Sequence, residues 1–215
     1  MSADQFFDMP NLPLLIEQAR IRLEAEKLVR QHFYETVDEN TKMEFINGEI
    51  LFQSPVKKMH NEATGNLYML IKIYASKYNL GWTGVEKVLV SLTRNDYEPD
   101  VCFWKKDRAQ HFTEEQMQFP APDLVIEILS PKTAKTDRTT KYVDYEAHGV
   151  HEYWIVDPKK KQVEQFILIN GQYYLRFKGS DGDIKSEAVE GFIIDVEAVF
   201  DSEMMNQELV KMLIP

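Results

Sequence analysis

The sequence predicts an α/β fold in which helices flank a mixed central β-sheet, with an additional N-terminal helix and extra strands at the C-terminus. A stripe of apolar residues at helical spacing runs through residues 60–78. Short apolar runs typical of buried strands cover residues 101–104 and 124–129. A helical pattern at 136–148 then leads into another apolar run at 152–156, which indicates a βαβ unit.

The sequence of the N-terminal part predicts a helix, a β-hairpin and a second helix, in that order. Apolar and charged residues alternate at helical spacing over residues 14–23, which indicates a cap on the core or an arm for dimerisation. Asn47-Gly48 separates two strand-like runs, a pattern typical of a β-hairpin. The helix over 60–78 is expected to end near Gly81 and to pack on a sheet.

The remaining elements are predicted mainly as strands. Partial alternation at 85–92 indicates a strand before the run at 101–104, and Gly149 marks the end of the helix over 136–148. Three further strands are expected at residues 162–168, 173–177 and 191–196.

Composition limits the function classes. The formal net charge of −10 disfavours long-range attraction to nucleic acid, so any DNA contact requires a local basic patch. The single cysteine excludes an intramolecular disulfide, and no apolar run approaches the length that a membrane span needs. We therefore expect a cytoplasmic protein without membrane contact.

One carboxylate interrupts the most apolar strand, because Glu127 lies inside the run 124–129. A buried ionised carboxylate needs a metal ion, a cation or a pocket mouth, although Glu127 could also point outward from an edge strand or form a buried ion pair. Asp123 begins the same strand, roughly 13 Å away, and cannot share an ion with Glu127. Asp100 could do so if its strand pairs beside 124–129, although alone it reads as a turn residue after Pro99.

Four features of the sequence belong together: the segment Glu98-Pro99-Asp100-Val101, residues 122–131, the spacing of Asp137, Lys141 and Tyr145, and residues 149–158. In combination they resemble the Uma-type family of restriction endonucleases, within the PD-(D/E)XK nuclease superfamily. The resemblance implies a restriction-endonuclease-like domain at 36–200, between an N-terminal arm at 1–35 and a C-terminal tail at 201–215. It also implies Mg²⁺ or Mn²⁺ held by Asp100 and Glu127, with the backbone carbonyl of Ile128 as a third ligand.

The chain departs from the superfamily pattern at Leu129, where a lysine is usual. Lys141 is the candidate for a migrated catalytic cation, since Asp137, Lys141 and Tyr145 share one helical face. Lys141 would then reach within roughly 3 to 5 Å of the Glu127 carboxylate, and Lys141→Met should leave stability nearly unchanged. The alternative is a surface Asp137–Lys141 pair, and both readings stay open.

Two further residues are secondary candidates, because the resemblance makes Glu44 and His60 neighbours of the active site. Their simpler interpretations are a surface carboxylate and a histidine at a helix start. The predicted function is a divalent-metal-dependent endonuclease acting on DNA as a homodimer. The alternative is a catalytically inactive nuclease-fold protein that serves as a binding or scaffold module.

Overall fold

The computed structural model describes residues 3–38 and 41–214. The helices are α1 (Ala3–Phe7), α2 (Leu12–Thr36), α3 (Lys58–Tyr78), α4 (Lys106–Ala109), α5 (Ala134–Thr136), α6 (Tyr142–Ala147) and α7 (Ser202–Leu213). The strands are β1 (Met43–Ile46), β2 (Glu49–Phe52), β3 (Gly81–Val85), β4 (Leu89–Ser91), β5 (Asp96–Tyr97), β6 (Val101–Lys105), β7 (Gln118–Phe119), β8 (Leu124–Ile128), β9 (Glu152–Asp157), β10 (Gln162–Ile169), β11 (Gln172–Gly179), β12 (Asp183–Lys185) and β13 (Ile193–Asp195).

A mixed six-stranded sheet forms the centre of the molecule, in the order β11-β10-β9-β8-β6-β3. Strands β8 and β9 are parallel, which confirms the predicted βαβ unit, and β6 pairs antiparallel to β8 with Val101 opposite Ile126. Every residue of β8 is buried, as expected for an apolar strand in the middle of a sheet. Asp100 and Glu127 therefore lie at the same end of two adjacent strands.

Apolar side chains alternate across this sheet and build a core on each face. On one face, Ile126 and Trp154 pack with Leu67 of α3 and Met205 of α7. On the other face, Val125 packs with tyrosines of the following segments. Helix α3 thus covers the sheet as its apolar stripe predicted.

A second sheet, in the order β2-β1-β5-β4-β7, carries the predicted hairpin of β1 and β2. Asn47 and Gly48 both have positive φ angles, of 52° and 91°, which the tight turn requires. A Cβ atom at Gly48 would lie 2.8 Å from Cγ of Glu26 in α2, so a larger residue here would force the Glu26 side chain to shift.

The helix between β8 and β9 differs from the regular helix predicted for 136–148. It consists of α5, a π-helical turn over Asp137–Lys141, and α6. Gly149 follows the helix at a φ of 73°, as its predicted role as a terminator requires. The inserted π-helical turn is a feature often found at functional sites.

Three other boundaries differ from the sequence prediction. Asn79, with a φ of 55°, ends α3, whereas Gly81 is already the first residue of β3. The expected strand over 85–92 is split, because Glu86 adopts a φ of 59° between β3 and β4. Residues after 200, expected as a tail, form α7, whose start is capped by the Asp201 carboxylate. Within the described residues, no helix combines the length and apolar character that crossing a membrane requires.

Candidate active site

Lys141 lies at the centre of a group of buried carboxylates. Its Nζ atom is 2.8 Å from Oε1 of Glu44, 2.9 Å from Oε1 of Glu127 and 3.5 Å from Oδ1 of Asp137. The side chain is only 2% exposed. The expected approach of Lys141 to Glu127 is therefore present, and the alternative of a surface Asp137–Lys141 pair is wrong.

Three separate elements bring these groups together. Glu127 points from β8 to the face that carries Val125, where the π-helical turn supplies both Asp137 and Lys141. Glu44 enters from β1 of the second sheet, whose four residues are all buried. The site is thus enclosed between the two sheets and the segment that follows β8.

Two tyrosines complete the surroundings of Lys141. The Tyr145 hydroxyl donates a 2.9 Å hydrogen bond to Oε1 of Glu127. The ring of Tyr97 faces the ammonium at 5.5 Å, a cation–π distance. Both contacts restrict Glu127 and Lys141 to one arrangement.

Asp100 is held on both sides of its carboxylate. Its Oδ2 atom accepts a 2.8 Å hydrogen bond from the backbone N–H of Ile128. Its Oδ1 atom lies 3.0 Å from Nζ of Lys42 and 3.3 Å from Nε2 of His60. The N–H of Ile128 thus orients Asp100, while the role predicted for the Ile128 carbonyl stays a prediction.

The buried charges perturb one another. Burial acts most strongly on Asp100, but the hydrogen bond with His60 and the charge of Lys42 outweigh it and hold the pKa of Asp100 well below its usual range. For Glu127, burial dominates over the attraction of Lys141 and raises the pKa well above the usual range. Burial likewise raises the pKa of Glu98 to about 7. The region therefore has more carboxylate than its lysines neutralise.

This surplus of buried carboxylate fits a divalent cation. Asp137 is 1% exposed, yet neither of its oxygens makes a hydrogen bond of good geometry among the described residues, and its interactions with Lys141 and Thr133 are weak. Oxygen donors are the ligands that Mg²⁺ and Mn²⁺ prefer. Potential ligand atoms of His60, Glu86 and Asp100 also lie within 4.8 Å of one another.

The structure gathers Glu44, Asp137 and Tyr145 around Lys141 and Glu127, and it sets His60 against Asp100. It changes the interpretation of two of these residues. Glu44 is 2% exposed and contacts Lys141, so it is not a surface carboxylate. His60 is the third residue of α3 and contacts Asp100, so it does more than mark a helix start. Sequence reasoning missed Lys42 and Glu86, for which no local pattern gave a signal.

Comparisons with known proteins agree with this architecture. A family model for Uma2, described as "Putative restriction endonuclease", matches residues 28–197. "Uncharacterized protein sll1609" of Synechocystis sp. is 25% identical over 166 residues, which span 75% of this chain and 89% of that protein. The crystal structure of "a putative nuclease belonging to DUF820 from Anabaena variabilis" has a TM-score of 0.68 at 17% identity, over 80% of this chain and 96% of that one, and shares the fold. The extent of the family match places this chain in the Uma2 family of restriction-endonuclease-like proteins.

Proposed function

We propose that this protein is a divalent-metal-dependent endonuclease that hydrolyses phosphodiester bonds in DNA. Family membership and the shared fold support a nuclease. One observation carries the proposal: the buried ammonium of Lys141 lies 2.9 Å from Glu127, on the strand next to Asp100. Lys141 thus supplies from the following helix the cation that is missing at Leu129.

Asp100 and Glu127 would hold Mg²⁺ or Mn²⁺, with the carbonyl of Ile128 as the third ligand that the family resemblance implies. When bound, such an ion lowers the pKa of a coordinated water and offsets negative charge on the phosphate. The hydrogen bond from the Ile128 N–H orients the Asp100 carboxylate, and the hydrogen bond from the Tyr145 hydroxyl orients the Glu127 carboxylate. Both carboxylates are therefore oriented before an ion or substrate arrives.

Lys141 would orient the attacking water or a phosphate oxygen. An ammonium has three N–H donors, and the two shortest contacts of Lys141 go to Glu44 and Glu127. The longer 3.5 Å contact with Asp137 leaves a donor that a water or phosphate oxygen could take. Burial strengthens such an interaction because little solvent screens it.

The alternative function is an inactive nuclease-fold protein that binds a partner or serves as a scaffold. The enclosure of Lys141 favours this alternative, because three carboxylates compete with any phosphate for the ammonium. The net charge of −10 acts in the same direction.

A cleavage assay separates the two functions. Purified protein is incubated with supercoiled plasmid, linear duplex and single-stranded DNA, with Mg²⁺ or Mn²⁺ or with a chelator. We expect metal-dependent cleavage that Asp100→Asn slows by about a hundredfold or more. Asp107→Asn, which changes an exposed aspartate of α4, should cleave at the parental rate. Failure of the parent to cut any of these DNA forms with either ion would favour the scaffold function.

A further inference from the structure

A second group of polar side chains surrounds the Oδ1 atom of Asp100. It contains His60 from α3, Glu86 from the turn after β3, and Asp100 itself. One potential ligand atom from each residue lies within 4.8 Å of the others. Two carboxylates and an imidazole form a mixed donor set that a divalent ion can share.

The ammonium of Lys42 bridges the two carboxylates of this group. Its Nζ atom lies 2.8 Å from Oε2 of Glu86 and 3.0 Å from Oδ1 of Asp100. The side chain of Lys42 is 19% exposed, so it is not sealed inside the core. Lys42 therefore stands where a cation is electrostatically favoured.

The backbone at Glu86 has an unusual conformation. Glu86 is a non-glycine residue with a φ of 59°, and its N–H donates a 3.1 Å hydrogen bond to the carbonyl of Asp100. A side chain adopts this left-handed conformation rarely, and such residues concentrate at ligand sites. Glu86 is therefore linked to Asp100 both through the backbone and through the ammonium of Lys42.

His60 offers the third donor. It is 6% exposed, and its Nδ1 atom has no hydrogen-bond partner among the described residues, while Nε2 lies 3.3 Å from Asp100. An imidazole nitrogen favours a transition-metal ion over Mg²⁺, which prefers oxygen ligands and retained water. The donor set consequently favours Mn²⁺ over Mg²⁺.

We propose that His60, Glu86 and Asp100 form a divalent-cation site that prefers Mn²⁺ to Mg²⁺, and that Lys42 occupies this site until the ion displaces it. The site shares Asp100 with the proposed nuclease centre and rests on that proposed function only for the use of the bound ion. It adds His60 and Glu86 to Asp100 as ligands. Lys42 thereby sets the ion concentration at which the site fills.

Calorimetric titration of the chelator-treated full chain with Mn²⁺ and then Mg²⁺, without DNA, tests the inference. We expect Lys42→Met to tighten Mn²⁺ binding by about fivefold or more, because the ion no longer competes with an ammonium. Glu86→Gln should weaken Mn²⁺ binding by about tenfold or more. His60→Gln should reduce the preference for Mn²⁺ over Mg²⁺. Lys58→Met, which removes an exposed lysine near the start of α3, is the matched control and should bind like the parent.

The results can overturn the inference independently of nuclease activity. Parental Mn²⁺ affinity in a folded Glu86→Gln variant would remove Glu86 from the ligand set. If Lys42→Met binds Mn²⁺ no more tightly than the parent, Lys42 does not compete with the ion for the site. If neither this variant nor the parent binds Mn²⁺, the proposed site does not exist. If the titrations give the expected affinities but the parent cleaves no DNA, the proposed nuclease function fails and the ion site stands, because the titrations contain no DNA. Circular dichroism of each variant verifies that it is folded.

Discussion

Lys141 carries its charge inside the protein, and this changes what its substitution should do. From the sequence, Lys141→Met was expected to leave stability nearly unchanged because the apolar stem remains. In the structure the charges of Glu44 and Glu127 raise the pKa of Lys141 well above its usual range, although burial, the largest influence, opposes this. Removing the ammonium would leave carboxylates buried without their cation, which is strongly destabilising.

We therefore expect Lys141→Met to lower the free energy of unfolding by about 3 kcal/mol, measured by urea denaturation. Adding Glu127→Gln to Lys141→Met should recover part of this loss, because one buried charge disappears with its partner. The double variant separates a loss of charge pairing from a simple packing defect. A Lys141→Met variant as stable as the parent would contradict the ion-pair interpretation.

At the scale of elements, ion pairs and hydrogen bonds hold the C-terminal half of α2 against the second sheet. Arg30 makes a two-pronged contact with Asp96, a fully buried carboxylate, at 2.7 and 2.9 Å. Glu26 accepts hydrogen bonds of 2.7 and 2.8 Å from the guanidinium of Arg94. These contacts align the arm with the hairpin that carries Glu44.

The contact between Glu26 and Arg94 should give the stability a defined pH dependence. Its hydrogen bond, opposed by burial, lowers the pKa of Glu26 in the folded protein. The stabilisation is therefore present above the unfolded pKa, near 4.3, and is lost as pH falls through the lower folded pKa.

We expect Glu26→Gln to cost about 1 kcal/mol of unfolding free energy at pH 7, and the difference from the parent to shrink below about pH 4. Glu24→Gln, on the same helix but in an exposed pair with Lys27, should change stability much less. Urea denaturation across this pH range measures both. A difference that grows as pH falls would contradict the assigned sign.

Another buried carboxylate, that of Glu152, joins the central sheet to the C-terminal segment through hydrogen bonds from neutral donors. Oε1 of Glu152 accepts hydrogen bonds from Trp154 and Gln165, and Oε2 accepts from Ser186, Glu187 and Ala188. Five donors satisfy this carboxylate, which is 0% exposed. The arrangement explains how an acidic residue can begin β9 inside the core.

Glu152→Gln should lower the free energy of unfolding by about 2 kcal/mol or more, because its amide group places a donor against existing donors. Mn²⁺ binding should remain parental, since Glu152 belongs to neither group around Asp100. Thermal denaturation and the same calorimetric titration provide the two readouts. An unchanged melting temperature would argue against a structural role for this carboxylate.

At the scale of the whole molecule, the N-terminal half of α2 leaves apolar side chains in solvent. Leu14, Ile16, Ile21 and Leu23 are 67%, 53%, 60% and 42% exposed, whereas Phe33 farther along the helix is fully buried. A second copy of the chain could cover this surface about a two-fold axis, and paired sites would suit cleavage of both DNA strands. The homodimer predicted from the sequence thus remains a proposal.

We expect light scattering at micromolar concentration to report twice the chain mass for the parent and the monomer mass after deletion of residues 1–24. This deletion removes Leu14, Ile16, Ile21 and Leu23 and retains Glu26 and Arg30, whose contacts hold the rest of the helix against the core. The variant Leu14→Ser with Ile21→Ser is a milder version that keeps the helix. The same mass for the parent and the deletion would end the proposal of an arm-mediated dimer.

The sequence by itself determined the central sheet and one half of the candidate site. Local periodicity identified β6, β8 and β9, and pairing of these strands necessarily placed Asp100 near Glu127. The sequence also placed Lys141 in the helix after β8 but left open whether it approaches Glu127 or forms a surface pair with Asp137, and its burial in the structure decided between the two. These features depend on contacts between elements that follow one another in the chain.

Only the tertiary structure decided the other half of the candidate site. Glu44 reaches Lys141 because a second sheet packs over the first, and nothing in the alternation of β1 indicates which partner its side chain meets. Lys42 and Glu86 both contact Asp100, although they lie 58 and 14 residues before it in the chain. The positive φ of Glu86 also interrupts the strand that the sequence predicted there. Such contacts arise from packing between distant segments and from one strained backbone position, and neither leaves a periodic signal in the sequence.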